Sequence, residues 1–196
     1  MSAVARSAAE RKADRRREIL DAALELFVER GFHGTAVPEI AQRAGVGLGT
    51  IYRYFESKEQ LVNELYRNWK SLMGAAIAQG TQQAAPRQQF HAMWAAMIGF
   101  VRAHPQGFAF VELHHHAPYL DADSRAHEER LHGFAVALVR HAQGEGRLRQ
   151  GDPEILMALV IGAFTGLVRF AREGRLVLDD AASDVAEQAC WDLVRA

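Results

Sequence analysis

The segment over residues 35–58 constrains the fold most, because its pattern predicts two short helices joined by a glycine turn. Two helices that cross steeply need a small residue at their contact, which Ala41 supplies. They also need a turn residue that tolerates a left-handed backbone, which Gly45 supplies. This layout predicts a helix-turn-helix of the kind that reads DNA. The apolar residues at the right spacing for its shared core are Ile40, Ala44, Val46, Ile51 and Tyr54.

Helical periodicity extends through nearly the whole chain, and no strand-like alternation of any length interrupts it. Thr35 is the expected N-cap of the second helix. Ser57 with Gln60 forms a capping box, and Asp152 followed by Pro153 opens a later helix. The pattern predicts an all-α protein of about nine helices. One of these helices begins after Thr35. The other eight are predicted over about residues 15–30, 48–55, 57–78, 87–103, 106–116, 121–143, 152–174 and 181–195, and a linker is predicted at 80–89.

The start of the chain is basic. Residues 1–17 carry a net charge of +4, although the whole chain has a formal charge of −1. A basic arm next to a helix-turn-helix suggests contact with DNA phosphates or the minor groove, and a solvated, frayed terminus is the alternative. We expect residues 1–14 to form a disordered basic arm and residues 15–60 to form the helix-turn-helix domain.

Composition restricts the remaining classes of protein. Hydrophobic residues make up 49% of the 196 residues, which is typical of a globular chain. Cys190 is the single cysteine, which excludes an internal disulfide framework and suits a reducing cytoplasm. The N-terminus lacks the apolar core of a signal peptide, and the longest apolar run, residues 155–168, is shorter than the ~20 residues that cross a bilayer. We expect a soluble, cytoplasmic protein without a membrane partner.

The amino-acid sequence around the helix-turn-helix resembles the TetR/AcrR family of bacterial repressors. The matching residues are EILDAALELFVERGF (18–32), Thr35, the pair Ile40-Ala41, Ala44-Gly45-Val46 and GTIYRYFESKEQL (49–61), which together cover about the first third of the chain. One position departs from the family, because Gly47 stands where a serine is common. The resemblance implies an N-terminal three-helix DNA-binding domain and, over residues 61–196, a C-terminal helical domain for ligand binding and dimerisation.

The turn and the second short helix form the predicted reading element, because the N-terminal residues of a helix in the major groove reach base edges. Arg53 is the candidate for a bidentate contact to guanine, with a phosphate contact as the alternative. Lys58 lies where helix-end amides and a cation can hold a phosphate. With the positions that the resemblance implies, the predicted DNA-binding residues are Thr35, Val37, Gly47, Leu48, Gly49, Thr50, Tyr52, Arg53, Tyr54 and Lys58.

Small residues recur at every fourth position of the long apolar run, so they lie on one helix face and allow another helix to come close. The resemblance implies that the last two long helices pair with those of a second subunit as a four-helix bundle. Ordinary packing within one chain is the alternative. The predicted homodimer interface consists of Ala158, Gly162, Gly166, Val185, Ala189 and Leu193.

Bulky apolar residues at helical spacing in the middle helices predict a core, but such a domain can also enclose an apolar cavity. The resemblance implies a small-molecule effector there, which alters the spacing of the two reading helices through helix 4. Apolar walls with few charges suggest a hydrophobic or amphipathic effector. The predicted pocket residues are Trp69, Met73, Trp94, Met97, Phe108, Glu112, His115, Phe134 and Phe164.

Three consecutive histidines, residues 114–116, raise the question of a metal site. Consecutive helical residues point about 100° apart, so three in a row cannot converge on one ion. Glu112 with His115 or His116 would need further ligands from another helix. We therefore expect no metal and no cofactor. Exposed residues at a helix end are the main interpretation, and a pH-sensitive contact or a polar pocket wall is the alternative.

We find no nucleophile elbow, phosphate loop or HExxH motif, so no enzymatic activity is expected. The expected function is a ligand-responsive repressor that binds a palindromic operator in double-stranded DNA as a homodimer and is released by its effector. A corepressor-dependent repressor or an activator of the same fold is the alternative. An architectural DNA-binding protein and a metal-dependent helical enzyme built on the histidines are the rivals from other classes.

Overall fold

The computed structural model describes residues 7–80 and 85–196, and within them the chain forms nine α-helices and one short 3-10 helix. The prediction of an all-α fold is confirmed. The helices are α1 (Ala8–Arg30), α2 (Val37–Arg43), α3 (Leu48–Tyr54), α4 (Lys58–Gly80), α5 (Pro86–Ala103), α6 (Pro105–Leu113), the 3-10 helix η1 (Ala117–Tyr119), α7 (Ala122–Gly144), α8 (Pro153–Arg172) and α9 (Asp180–Val194).

Helix α1 begins earlier than the sequence pattern indicated. Ser7 is its N-cap, and a capping box joins Ser7 to Glu10: the Ser7 hydroxyl accepts from the Glu10 amide at 3.1 Å, and the Glu10 carboxylate accepts from the Ser7 amide at 2.6 Å. The prediction of a disordered arm is therefore wrong for residues 8–14, which are helical. The rest of the predicted arm, residues 1–6, lies outside the described residues.

Three other predicted boundaries differ from the structure. The N-cap of α2 is Ala36 and not Thr35, and the Glu39 carboxylate accepts from the Ala36 amide at 3.0 Å. Helix α6 ends at Leu113, so residues 114–116 follow the helix and do not belong to it. Helix α5 already begins at Pro86, inside the predicted linker, of which residues 81–84 lie outside the described part of the chain.

The helices pack around two hydrophobic cores. The first core contains residues of the four helices α1, α2, α3 and α4, together with Phe110 and Val111 of α6 and Leu120 of the segment after it. The second joins α5, α6, α8 and α9. Trp69 and Met73 of α4 pack against both cores. The first core therefore extends past residue 60, and α6 contributes to both.

Helix α8 is the most apolar of the long described helices, those of 15 residues or more. Its buried stripe, which packs into the second core, consists of Leu156, Val160, Phe164 and Val168. Most of its remaining surface is exposed in a single chain, including Ile155, Leu159 and Ile161. Among the described residues it is the one helix long and apolar enough to cross a membrane by length and composition. Apolar surface of this extent is equally typical of a helix that another protein surface covers.

Candidate nucleic-acid interface and effector domain

The α2–α3 unit has the geometry of a helix-turn-helix. Ala41 is buried where the helices meet, and Gly45 adopts the left-handed backbone of the turn with φ of 65°. The Val46 amide donates to the Ala41 carbonyl at 2.9 Å and closes the turn. Ile51 and Phe55 are buried in the first core and fix the inner face of α3.

Ion pairs fix α2 against α1. Arg43 at the end of α2 pairs with Glu25 of α1 at 2.7 Å, and Arg30 of α1 pairs with Glu39 of α2 at 2.7 Å. The hydrogen bond from the Ala36 amide, followed by the one from Arg30, holds the pKa of Glu39 below its usual value. The Glu39 carboxylate is therefore charged near neutral pH, and both arginines are already paired between α1 and α2.

The outer face of α3 presents most of the predicted DNA-binding residues to solvent. Leu48 is 42% exposed and Tyr52 is 53% exposed, and Arg53 is exposed beside them. Gly47 and Gly49 are exposed at the start of the helix, and Thr50 is half-buried. No acidic residue lies in the first turn of α3, so this end carries only the positive end of the helix dipole. The residues that the structure brings together here are Gly47, Leu48, Gly49, Thr50, Tyr52 and Arg53.

The other four predicted DNA-binding residues point elsewhere. Thr35 is 2% exposed, and its hydroxyl donates to the carbonyls of Leu26 and Gly31, so a side-chain contact to DNA is excluded. The Lys58 ammonium is half-buried and donates to two backbone carbonyls within the protein. The Thr35 assignment is therefore wrong, because packing turns its side chain inward, whereas the phosphate contact of Lys58 stays a prediction. Val37 and Tyr54 are half-buried against the first core.

The first turns of α1 display cations near the helix-turn-helix. Lys12, Arg15 and Arg17 are exposed on this helix. Arg16 instead pairs with Glu64 of α4, and its guanidinium lies 4.7 Å from the centroid of the Phe55 ring. The basic segment is thus divided between solvent and the contact of α1 with α4. The capping-box pattern of Ser7 and Glu10 is the sequence signal for this early start of α1.

Three of the predicted pocket residues form the second core and pack on one another. The rings of Trp94 and Phe164 lie 5.1 Å apart, and those of Phe108 and Phe164 lie 5.8 Å apart. The Trp94 indole N–H donates to the Ser183 hydroxyl at 3.1 Å. All three side chains are almost fully buried, so they pack against one another and against the rest of this core in this conformation.

The remaining predicted pocket residues lie at margins or on the surface. Met97 is half-buried against the second core, and Trp69 and Met73 lie between the two cores. Phe134 is 56% exposed on α7, and His115 is exposed, so neither lines an interior pocket and both predictions are wrong. Apolar character predicted burial for Phe134, but α7 turns this residue to solvent.

Glu112 belongs to a partly buried ion pair between α6 and α4. Its carboxylate lies 2.7 Å from the Lys70 ammonium, and both side chains are 16% exposed. Lys70 is also 5.7 Å from the centroid of the Tyr66 ring. Burial, followed by a hydrogen bond with Glu128, raises the pKa of Tyr66, which therefore stays protonated. These charged and polar groups join α4 to the end of α6.

The three histidines diverge. His115 is exposed, His114 is half-buried, and His116 is buried with its ring 5.3 Å from that of Tyr66. Burial lowers the pKa of His116, so its ring is neutral at pH 7. In the tautomer that fits the contacts, Nε2–H donates to the Phe110 carbonyl and Nδ1 accepts from the Tyr119 hydroxyl. Among the described residues no group of three or more His, Cys, Asp and Glu side chains could hold a metal ion.

Sequence reasoning missed the residues that join α4 to η1 and α7. The buried Asn63 amide donates to the Tyr119 carbonyl at 2.9 Å, and its oxygen accepts from the Asp121 amide at 2.8 Å. Arg67 donates to the Ser124 hydroxyl at 2.8 Å and pairs with Asp121. No local motif marks these residues, since their partners lie more than fifty positions away in the sequence.

The predicted dimer interface is exposed in the single chain. Val185 is 72% exposed, Ala158, Ala189 and Leu193 are exposed as well, and added side-chain atoms at Gly162 and Gly166 would meet nothing within 4 Å. These residues lie on α8 and α9, which pack against each other. The structure brings the predicted residues onto one pair of helices, where exposed apolar residues of α8 such as Ile155, Leu159 and Ile161 lie as well.

Comparison with known proteins supports the resemblance. The family model described as tetracyclin repressor-like, C-terminal domain matches residues 59–196, and that of bacterial regulatory proteins, tetR family, matches residues 19–65. The HTH-type transcriptional repressor KstR2 of Rhodococcus jostii is 47% identical over 58 residues, 30% of this chain and 28% of that protein. The HTH-type transcriptional activator FasR of Mycolicibacterium smegmatis is 31% identical over 99 residues, 50% of this chain and 45% of that protein.

The chain thus matches less than half the length of these two curated relatives. A solved structure is similar over the whole chain: a TetR family transcription regulator from Marinobacter aquaeolei, with a TM-score of 0.83 at 23% identity. The similarity covers 95% of this chain and 98% of that one. At this identity the likeness establishes the fold alone.

Proposed function

Because the chain belongs to the tetR family of bacterial regulatory proteins, we propose that it is a ligand-responsive transcriptional repressor. It binds a palindromic operator in double-stranded DNA as a homodimer, and a small hydrophobic or amphipathic effector releases it. The observation that carries the proposal is the exposed face of α3, with Leu48, Tyr52 and Arg53 on a helix whose inner side is fixed by buried Ile51 and Phe55. The protein acts in the cytoplasm and has no enzymatic activity.

The homodimer follows from the outer surface of α8 and α9. A single helix-turn-helix reads one half-site, and two copies read half-sites about 34–36 Å apart. Stable interfaces bury about 800 Å² per partner, and exposed apolar side chains on both helices, including Ile155, Leu159 and Val185, offer surface for such a contact. Gly162 lies on this surface with open space around it, so the helix of a second copy can approach closely.

The effector is proposed to shift a population of conformations. It binds better to a conformation in which the two reading helices no longer match the spacing of the half-sites. Trp94, Phe108 and Phe164 are buried and their rings are in contact, so an effector that binds among them has to open space there. Linkage requires operator DNA to weaken effector binding by the same factor by which the effector weakens operator binding.

Activation is the second candidate, because one of the two curated relatives is a repressor and the other an activator. The fold and the reading face serve both outcomes. The position of the operator relative to a promoter distinguishes a repressor from an activator. A repressor site overlaps the promoter, and the expression of a reporter gene then rises when the protein is deleted. For an activator the same reporter falls.

The first test is the selection of random duplex DNA on purified protein at stated salt, followed by sequencing. We expect a palindrome with half-sites about one helical turn apart. Arg53→Ala should lose about 1–3 kcal/mol of discrimination at one base pair of each half-site. Arg140→Ala is the matched control, because it removes the same charge from an exposed arginine of α7, outside the helix-turn-helix. A flat selection with only salt-sensitive binding contradicts the proposal.

The second test is the oligomeric state. Gly162→Glu places a charge on the open face of α8, and we expect it to convert a dimer to a monomer in light scattering at micromolar concentration. Gly133→Glu is the control, because Gly133 is also an exposed helical glycine with open space around it but lies on α7. A dimer that persists in the Gly162 variant removes this face from the proposal.

A further inference from the structure

One cation holds the turn between α1 and α2. Lys58 is the first residue of α4, and its ammonium donates to the Phe32 carbonyl at 2.8 Å and to the Thr35 carbonyl at 2.9 Å. The same ammonium lies 4.2 Å from the centroid of the Phe32 ring, within the range of cation–π attraction. Three contacts to one short turn direct this half-buried charge into the protein.

The turn is also tied to η1. The Phe32 ring stacks on Tyr119, with centroids 4.2 Å apart and an angle of 22° between the planes. The Tyr119 hydroxyl in turn donates to buried His116 at 2.9 Å. We call Phe32, Thr35, Lys58 and Tyr119 the turn clamp. Through it, one short turn is held at the same time by the first residue of α4 and by the segment after α6.

The turn clamp sets where the reading unit leaves α1. Helix α2 begins two residues after Thr35, and α3 packs on α2. Functional side chains have to be held within about 0.5 Å of their productive positions. We infer that Lys58 is a positioning residue for base readout: it holds the α1–α2 turn against α4 and does not neutralise a DNA phosphate. The inference rests on the proposed function, in which α3 reads an operator.

The two roles of Lys58 predict different salt dependence. Each phosphate that a cation neutralises contributes about −0.9 to the slope of log K against log salt. A dimer carries two copies of Lys58, so removing two phosphate contacts would reduce the magnitude of the slope by about 1.8. A positioning residue acts on geometry, so its removal leaves the slope unchanged. It lowers the ratio of specific to non-specific affinity instead.

The test measures operator and random-sequence affinities between 50 and 200 mM salt, on full-length protein well below its unfolding midpoint. Lys58→Gln removes the charge. Lys58→Arg keeps it but replaces a compact ammonium by a planar fork that does not fit the same two carbonyls. Phe32→Leu keeps the lysine and removes the ring, which guards against a fold defect in the lysine variants. Lys12→Gln is the control, since Lys12 is an exposed lysine of α1 outside the clamp.

We expect all three clamp variants to lower the specificity ratio, by tenfold or more for Lys58→Gln, with the wild-type salt slope. The Lys12 control should keep the wild-type ratio. A slope reduced by about 1.8, a Lys58→Arg variant with wild-type specificity, or an unchanged ratio in Lys58→Gln each overturns the inference. Wild-type protein without sequence-specific binding would instead refute the proposed function, so the two failures are distinguishable.

Discussion

Replacing Gly107 by alanine tests how tightly α6 is seated on α4. A Cβ atom at this position would lie 2.4 Å from Cε3 of the Trp69 ring, well inside van der Waals contact. The ring cannot move away freely, because it contacts Phe100 and His104, with centroids 6.3 and 5.3 Å away. Overpacking costs about 1–3 kcal/mol, and the better helix propensity of alanine returns about 0.5–1 kcal/mol.

The expected net loss for Gly107→Ala is about 1.25 kcal/mol in the free energy of unfolding, the difference between the midpoints of those two estimates. For a chain of this length the unfolding midpoint should fall by roughly 2–5 °C. Thermal and urea unfolding at one fixed protein concentration measure this loss, because the midpoint of a dimer depends on concentration.

Gly133→Ala is the matched control for this variant. Gly133 is a helical glycine of α7 with nothing within 4 Å of an added Cβ atom. It should stabilise the protein by about 0.5–1 kcal/mol through helix propensity alone. If both variants gain stability equally, then Trp69 does not pack on α6 as the structure has it, and the contact between α4 and α6 has to be reconsidered.

Three further predictions concern the polar groups of the same region. Burial lowers the pKa of His116 and His114 from 6.5, so below about pH 6.5 the unfolded chain binds protons that the folded chain does not. Urea unfolding should therefore show full stability above this pH and a loss of stability towards about pH 5. The loss should be shallower in His116→Gln. Lys70→Met should lower the free energy of unfolding by about 3 kcal/mol, because it leaves Glu112 unpaired. The double variant Lys70→Met with Glu112→Leu should lose less, and a double-mutant cycle measures the difference. Asn63→Ala should cost about 1–3 kcal/mol in thermal unfolding by leaving buried backbone groups unpaired.

Local chemistry made most of the helices predictable. Asp121 and Asp152 cap α7 and α8 through their side chains, and Pro153 occupies the first position of α8. The run of cations in residues 8–14 predicts disorder, but the capping box of Ser7 and Glu10 starts α1 ahead of it. At this end of the chain, a signal that acts over three residues outweighs the effect of charge.

The orientation of the site residues could not be predicted in the same way. His115 and His116 are neighbours of the same type, yet one is exposed and the other is buried, because α6 ends before them and the chain turns inward at His116. Thr35 and Lys58 match the positions at which the family contacts DNA, but their partners in the α1–α2 turn compete for them. Whether these side chains contact DNA or the α1–α2 turn depends on packing between distant segments of the chain. A local sequence motif carries no information about that packing.

The contacts of α6 change the expected role of α4 in transmission. The family resemblance implies that an effector acts on the spacing of the reading helices through α4. In the structure α6 touches α4 where Gly107 meets Trp69, and it touches α1 directly, where the rings of Phe110 and Phe27 stack 6.2 Å apart. Packed cores move as units and resist continuous deformation. We therefore expect a displacement of α6 to act on α1 and α4 together and to move the reading unit with them.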